Sequence, residues 1–288
     1  MDFYLTAVLQ ALCFSALALG IFISMKIFNI PDITTDGTFT LGGSISAVML
    51  VSEIHPLITL PVVMLAGALA GAITGLIHTK LKINPLLAGI LVMTALYSIN
   101  LTVMGRSNIP LLSYPTVFSF WSIIEDLNYN TLLVLIMFVA ILSATIGYIL
   151  KTDFGIAMRA TGNSENMIRA LGVNTDRMKI IGLALANCLT ATSGYLITQF
   201  QGFADINMGI GVVIVGLGSV IIGETLIHWL KATSIWANLG VVIIGAIIFQ
   251  LVLAFTLSMG IDANLLKLVT ATFVLIIVSV PRVLSFRR

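Results

Sequence analysis

Charged side chains cluster in one segment of this chain, DFGIAMRATGNSENMIRALGVNTDRMK (residues 153–179). Carboxylates and cationic groups at this density could carry acid–base catalysis, or they could form ion pairs within the segment and with a partner. Catalysis or metal binding needs groups that converge on one point. The three histidines of the chain are scattered, and Cys13 and Cys188 lie in separate apolar runs. We therefore expect no catalytic residues and no metal ligands, and we interpret the segment as a polar surface.

The spacing of small and polar residues in this segment predicts two short helices. Gly162 is a favourable stop for the first helix, because glycine often closes the C-terminus of a helix. Asn163, or the serine that follows it, can cap the second helix, and Glu165 in its first turn suits the positive end of the helix dipole. Arg169 follows Glu165 by four residues, which favours an ion pair on one face. Gly172 is then expected to end the second helix.

The second helix also has an apolar edge, formed by Met167, Ile168 and Leu171. A basic amphipathic helix can lie on a membrane surface, which is the simpler interpretation. This helix, however, is short, its charges are of both signs, and glycines mark both of its ends. We therefore favour a rigid projection that is presented to a partner protein, with the three apolar residues as anchors in a groove.

The composition of the whole chain predicts the elements that position this segment. Of its 288 residues, 59% are hydrophobic and 9% are charged, and its mean hydropathy is +1.11. A soluble domain carries about 25% charged residues. Continuous apolar runs such as TLLVLIMFVAILSATIGYIL exclude the alternating pattern of a transmembrane β-barrel. The chain is therefore expected to be an all-α polytopic protein of the lipid bilayer, and its net charge of +2 is too small to indicate nucleic acid.

Nine apolar runs could form membrane-spanning helices. They are Leu5–Met25, Phe39–Val51, Leu57–Ile77, Pro85–Val103, Thr131–Leu150, Ile180–Gln199, Met208–Ile222, Ile235–Leu257 and Leu265–Val280. The second and seventh runs are shorter than about 17 residues, the lower limit for a simple span. We therefore predict nine spans, or eight if a short run does not cross, within one transmembrane domain that comprises residues 1–288.

The two short runs are also rich in glycine, as DGTFTLGGSISAVMLV and INMGIGVVIVGLGSVIIGE show. Short, glycine-broken segments in the two halves of a membrane protein are typical of a transport path, because unwound backbone is tolerated only where it faces protein or a cavity. Small residues also allow helices to pack closely. The two explanations are compatible, and the sequence favours neither.

The distribution of Lys and Arg predicts which loops face the cytoplasm. The segment 153–179, the loop HTKLK and the tail PRVLSFRR are basic, and we place them on the cytoplasmic side. With nine spans, the N-terminus then lies outside and the C-terminus inside. The loop Gly105–Asn130 lies outside, and its Trp and Tyr residues predict an interfacial loop with a short helix.

Polar side chains within the apolar runs are candidates for a translocation path, because a solute with polar ends needs such groups along its way. The candidates are Asp36, Thr94, Asn100, Asn187, Gln199 and Gln250. The alternative for each is a hydrogen bond between helices, which typically contributes about 0.6 kcal/mol. Asp32 is expected instead to cap a helix in an aqueous loop.

Residues 153–224 resemble the cytoplasmic coupling region and the following helices of ABC-importer permeases, in the branched-chain amino acid and simple sugar class. That family shows a G-x-A-x-R-A pattern followed by a small turn. A helix then ends at a glycine, which is followed first by Ile or Val and then by Asn or Pro. A glycine-rich segment lies downstream. The matching residues are Gly155, Ala157, Arg159, Ala160, Ala170, Gly172, Val173, Asn174, Gly209, Gly211, Gly216 and Gly218. The resemblance covers most of the chain, more weakly at PDITTDGTFTLGGSISA, and is closest to a branch with predicted amino acid substrates, aromatic ones included.

The resemblance implies the transmembrane permease subunit of an ATP-driven ABC importer, located in the bacterial inner membrane. It would move a small solute, an amino acid of the aromatic or branched-chain type, by alternating access. Its expected partners are a second copy in a homodimer, an ABC ATPase subunit and an extracytoplasmic solute-binding protein.

The same resemblance makes residues 151–179 the coupling region that docks on the ATPase. The residues expected at that contact are Arg159, Asn163, Glu165, Met167, Ile168, Arg169, Leu171 and Gly172. The chain contains no G-x-x-x-x-G-K-[ST] phosphate-binding loop. ATP would therefore be bound by the partner subunit, and no cofactor is expected in this chain.

Two other classes of function compete with this one. An ion-coupled secondary transporter or channel would need charges inside the membrane to couple ions to transport, and the chain has few. A membrane-embedded enzyme would need clustered acid, base or metal groups, which the sequence does not show. Both alternatives are therefore weaker than the permease.

Overall fold

The computed structural model describes residues 2–121, 126–230, 234–260 and 265–285. Its helices are, in chain order, α1 (Asp2–Ile21), α2 (Thr34–Val51), α3 (Pro56–Lys80), α4 (Pro85–Met104), α5 (Val117–Phe120), α6 (Leu127–Lys151), α7 (Asp153–Asn163), α8 (Glu165–Ala170), α9 (Thr175–Gln201), α10 (Val212–Leu230), α11 (Ile235–Ser258) and α12 (Leu266–Ser285). A π-helical segment, Phe22–Ile27, continues α1, and two short strands are present, β1 (Asn108–Pro110) and β2 (Phe203–Asp205). The predicted all-α membrane fold is confirmed.

Among the described residues, six helices are long and apolar enough to cross a membrane. They are α1 with its π-helical extension, α3, α4, α6, α9 and α11. The second, seventh and ninth predicted runs overlap α2, α10 and α12, which contain 18, 19 and 20 residues. Each predicted run thus overlaps a helix of its own, and the count of eight or nine spans stays a prediction.

Helix α9 lies at the centre of the bundle and packs against α1, α2 and α3. Because lipid is as apolar as the side chains, such helices are held mainly by close packing and by hydrogen bonds between helices. Tyr195 of α9 donates its hydroxyl to the carbonyl oxygen of Pro56 at 3.0 Å, and Ser193 donates to that of Cys13 at 2.8 Å. Cys13 and Cys188, which lie in separate apolar runs, are both buried and form no disulfide.

Glycine residues bring α2 close to α9. A side-chain carbon on Gly42 would overlap the carbonyl oxygen of Ala191, and one on Gly194 would overlap that of Phe39. Close packing therefore accounts for the glycines of the first short run. Helix α2 is continuous and starts at Thr34, before the apolar run begins, so of the two explanations for this run the structure shows close packing.

Two loops meet at one end of the bundle, which we call the sheet end. There β1, which follows α4, pairs antiparallel with β2, which follows α9; Asn108 lies opposite Asp205. The predicted short helix in the loop 105–130 is confirmed as α5, while Glu125 of that loop lies outside the described residues. Helix α9 starts directly after α8 and ends directly before β2, so α7 and α8 lie at the opposite end of the bundle, the α7–α8 end.

Candidate functional site

The charged segment folds as two consecutive helices, as the sequence predicts. Helix α7 begins after Thr152, whose hydroxyl accepts a hydrogen bond from the N–H of Gly155 at 3.4 Å. Gly172 follows α8 with a φ of 86°, and the N–H of Val173 bonds to the carbonyl oxygen of Ile168 at 3.3 Å. These two features are those of a helix closed by a left-handed glycine, so the predicted role of Gly172 is confirmed.

The predicted role of Gly162, by contrast, is wrong. Helix α7 continues through Gly162 to Asn163, and a side-chain carbon on Gly162 would overlap the carbonyl oxygen of Ile27 in the π-helical segment. Asn29 donates its side-chain amide to the carbonyl oxygen of Gly162 at 3.2 Å. The glycine is therefore needed for a close contact between α7 and the π-helical segment, a type of helix that often lies at functional sites.

We expect Gly162→Ala to lower the midpoint of thermal unfolding of the purified protein. The added methyl group must push α7 away from Ile27, and overpacking of this kind costs about 1–3 kcal/mol. The matched control is Gly240→Ala in α11, where an added carbon meets no atom within 4 Å. That control should leave the midpoint unchanged or raise it, because alanine favours a helix over glycine by about 1 kcal/mol. Equal midpoints for Gly162→Ala and the wild type would contradict the contact.

The charged residues of α8 are paired within the chain. Glu165 lies 2.9 Å from Arg169 and 2.5 Å from Lys179 of α9. Arg169 also reaches Asp176 at 3.2 Å, and Asp176 lies 3.6 Å from Lys80 at the end of α3. The predicted pair of Glu165 with Arg169 is confirmed, and the wider network fastens α8 to α9 and α3.

The carboxylate of Glu165, within this network, is ionised at neutral pH. The hydrogen bond and the positive charge of Lys179 lower the pKa of Glu165 below its ordinary value of 4.5, although partial burial acts in the opposite direction. Because the pKa is lowered in the folded state, the carboxylate stabilises the fold above the ordinary value, and this contribution is lost as the pH falls through the folded pKa. The pairing of α8 with α9 is thus complete over the physiological pH range.

Two large apolar side chains of α8 remain exposed beside this network. Met167 is 63% exposed and Leu171 is 69% exposed, while Ile168 is half-buried. Asn163 is exposed, and Arg159 on α7 has a buried Nε without a partner among the described residues. Apolar side chains exposed at fixed positions are typical of a docking surface.

Asp36, one of the predicted path residues, lies at the start of α10. Before α10 the chain makes turns over residues 206–211, where Gly209 lies against the first turns of α2. Asp36 of α2 accepts hydrogen bonds from the N–H groups of Gly211 and Val213, both at 2.9 Å. The first N–H groups of a helix have no partner within it, so Asp36 caps α10 from another helix. The two glycine-rich runs are joined by this contact.

A cavity of about 360 Å³ lies beside this cap. It is bounded by α2, α4 and the turns before α10. Its lining residues are Asp36, Gly37, Thr40, Met93, Thr94, Tyr97, Asn100, Ile206 and Ile210. The structure thus brings Asp36, Thr94 and Asn100 together. A few polar groups among apolar side chains are typical of a site for a small molecule.

The other three predicted path residues lie elsewhere. Asn187 is buried in the centre of the bundle, where it bonds to Thr38 and Asp32 at 2.7 Å each. Gln199 accepts a hydrogen bond from a backbone N–H of α5 at 2.8 Å. Gln250 lines a separate cavity of about 190 Å³ between α1 and α11. The contacts of Asn187 and Gln199 match the alternative that their side chains connect structural elements.

The expected position of Asp32 in an aqueous loop is wrong. Its side chain is buried and accepts hydrogen bonds from the Asn187 amide at 2.7 Å and from the N–H of Thr34 at 2.9 Å. The hydroxyl of Thr34 shares a hydrogen bond with that of Thr74 in α3 at 2.8 Å. Because a buried carboxylate needs such partners, Asp32 holds the start of α2 against α9. Asn187, on a helix far away in the chain, carried no local signal of this pairing.

Similarity to known proteins agrees with these features. Residues 3–279 match the model of a family described as "Branched-chain amino acid transport system / permease component". The chain belongs to this family. The six helices that are long and apolar enough to cross a membrane agree with a membrane transport component.

Several curated proteins are similar to the chain. It is 40% identical to the tyrosine transport system permease protein of Clostridioides difficile, over 92% of this chain and 87% of that protein. It is 27% identical to a ribose import permease protein of Haemophilus influenzae, over 74% of this chain and 66% of that protein. It is 26% identical to a probable branched-chain amino acid transport permease protein of Methanocaldococcus jannaschii, over 64% of this chain and 62% of that protein. No solved structure matches the chain.

The chain is therefore the permease subunit of an ABC importer for a small solute. It is a multi-pass membrane protein, which in bacteria lies in the inner membrane. As a permease it is a transport component and not a catalyst, and membership of this family implies an ATPase and a solute-binding protein as partners.

Proposed function

We propose that the chain carries an amino acid, aromatic ones included, through the cavity between α2, α4 and the start of α10. The observation that carries this proposal is the lining of that cavity, which combines a carboxylate, hydroxyls and an amide with the Tyr97 ring and apolar side chains. An aromatic amino acid has charged groups at one end and an apolar ring at the other, so it suits such a mixed surface. The similarity to a tyrosine transport permease supports the same class of solute.

We assign the docking of the ATPase to α8. Met167 and Leu171 are exposed and would enter a groove on the partner. Glu165 and Arg169 are engaged in ion pairs with α9, so they would hold α8 in place and would not bind the partner themselves. ATP would be bound and hydrolysed entirely on that separate subunit.

A chain of contacts connects this docking surface to the cavity. Helix α7 touches the π-helical segment through Gly162, and Lys26 of that segment lies 3.0 Å from Glu224 of α10. The other end of α10 is capped by Asp36 at the cavity. A displacement of α7 and α8 when ATP closes the ATPase pair would therefore reach α10 and change access to the cavity, as alternating access requires.

We propose that two copies of the chain form the pathway. Helix α4 exposes several polar side chains in addition to its apolar ones. They are Thr94, Tyr97, Ser98 and Thr102. Polar groups are rare on lipid-facing surfaces, so a second copy facing α4 would shield them and enclose the two cavities. One coupling region per chain agrees with two copies on a pair of ATPases, and the sheet end would receive the solute-binding protein.

Reconstitution of the whole importer tests this function. The chain, its ATPase and its binding protein would be placed in proteoliposomes, and the uptake of labelled tyrosine, leucine and ribose would be measured with and without ATP. We expect ATP-dependent uptake of tyrosine that survives the collapse of proton and sodium gradients. Uptake driven by an ion gradient without ATP would favour a secondary transporter, and uptake of ribose in place of the amino acids would overturn the proposed solute.

A further inference from the structure

Asn100, one of the residues that line the cavity, has a buried acceptor atom with no partner among the described residues. Asn100 of α4 is 1% exposed, and its Nδ2 donates to the carbonyl oxygen of Gly37 in α2 at 3.1 Å. This bond sets the direction of the amide, and Oδ1 is left buried and unsatisfied. Buried acceptors are nearly always satisfied in folded proteins, so a donor from outside the described structure is expected at this atom.

The other polar groups of the cavity also present oxygen lone pairs. Thr40 donates its hydroxyl hydrogen to the carbonyl oxygen of Asp36 at 3.2 Å, and Thr94 donates to that of Ile90 at 2.8 Å. The Asp36 carboxylate accepts two N–H groups of α10 and brings a negative charge to the cavity wall. Apart from Tyr97, whose hydroxyl can donate or accept, a solute that enters the cavity therefore meets acceptors and one negative charge.

We infer that this cavity recognises the ammonium group of the solute, with Asn100 Oδ1 as its acceptor and Asp36 as its counter-charge. An ammonium group has three N–H donors and no acceptor, which complements this lining. A carboxylate would meet lone pairs and a like charge, so the carboxylate of the solute must point away from Asn100. The inference rests on the proposed function only in taking the solute to be an amino acid.

Solutes that lack one of the two charged groups test this assignment directly. The complex of the chain with its ATPase would be placed in nanodiscs without the binding protein, so that selection by the binding protein does not contribute. The binding of labelled tyrosine would be measured against two competitors, tyramine, which keeps the ammonium group, and 3-(4-hydroxyphenyl)propanoate, which keeps the carboxylate. We expect tyramine to displace tyrosine and the propanoate not to displace it.

The variant Asn100→Leu removes the acceptor while keeping a side chain of similar size. We expect it to weaken tyrosine binding about tenfold or more, because a hydrogen bond to a charged group is lost. The matched control is Thr145→Val on α6, since Thr145 is exposed, donates to its own helix and does not line the cavity. The control should bind tyrosine with the same affinity as the wild type. The competition experiment on the wild type stands even if Asn100→Leu fails to fold.

The outcomes separate the inference from the proposed function. Displacement by the propanoate as strong as that by tyramine would overturn the ammonium assignment while leaving an amino acid importer intact. If tyrosine does not bind, displacement of labelled leucine by an amine but not by a carboxylic acid would overturn the aromatic solute and support the inference. If none of the ammonium compounds binds, or if Asn100→Leu folds and binds tyrosine as the wild type does, then water satisfies Asn100 and the inference is wrong.

Discussion

Leu171→Asp should abolish the association of this permease with its ATPase while leaving the permease folded. Leu171 is 69% exposed on a helix that ion pairs fasten to α9, so the change removes little buried surface within the chain but places a charge on the proposed docking surface. Burying a leucine at an interface contributes about 1.5–3 kcal/mol. Its loss weakens binding about tenfold to a hundredfold, and the desolvation of the aspartate weakens it further.

The measurement is co-elution of the two proteins from a size-exclusion column in detergent, followed by ATP-dependent uptake. Leu112→Asp is the matched control, because Leu112 is 87% exposed and its neighbour Leu111 bonds to Gly202 at the sheet end. The control should bind the ATPase normally. Full co-elution of Leu171→Asp with the ATPase would show that α8 is not the docking surface and would favour α7 in its place. The double variant Glu165→Lys with Leu171→Asp should bind no better than the single one.

Asp36→Ala should abolish most transport without preventing assembly with the ATPase. The N–H groups of Gly211 and Val213 would lose their acceptor at the start of α10, and each unsatisfied buried donor costs about 1–3 kcal/mol. The start of α10 would then no longer be held against α2 beside the cavity. We expect uptake to fall about tenfold or more, in line with a loss of at least about 1.4 kcal/mol.

Hydrogen exchange distinguishes this capping role from a simple loss of charge. The amides of Gly211 and Val213 should exchange faster in Asp36→Ala than in the wild type. Asp36→Asn should lie between the two, because its amide has no charge but keeps one acceptor oxygen for one of the two N–H groups. Asp205→Ala is the matched control, since Asp205 accepts from the N–H of Asn207 at 2.8 Å at the sheet end. Unchanged exchange and unchanged uptake in Asp36→Ala would show that the cap is dispensable.

Local signals predicted most of the local structure of the charged segment 153–179. The ion pair of Glu165 with Arg169 and the helix end at Gly172 both depend on residues within one or two helical turns, so the spacing in the sequence was enough. Gly162 has the same local pattern as Gly172, yet its role depends on Ile27, which is far away in the chain. A glycine that permits close packing therefore cannot be told from a glycine that ends a helix by its neighbours in the sequence.

Composition and the lengths of the apolar runs by themselves determined that this chain is a helical membrane protein with one charged segment between its apolar runs. They do so because a helix must be long and apolar to cross a bilayer, so a segment with many charged residues is expected outside the hydrocarbon core. Only the tertiary structure decided which polar residues act together. Asp36 meets the start of α10, and Asn100 faces the cavity next to it, while Asn187 and Gln199 are engaged in structural contacts. Each of these pairings joins residues far apart in the chain, and the packing of helices, unlike helix formation, leaves no periodic signal in one sequence.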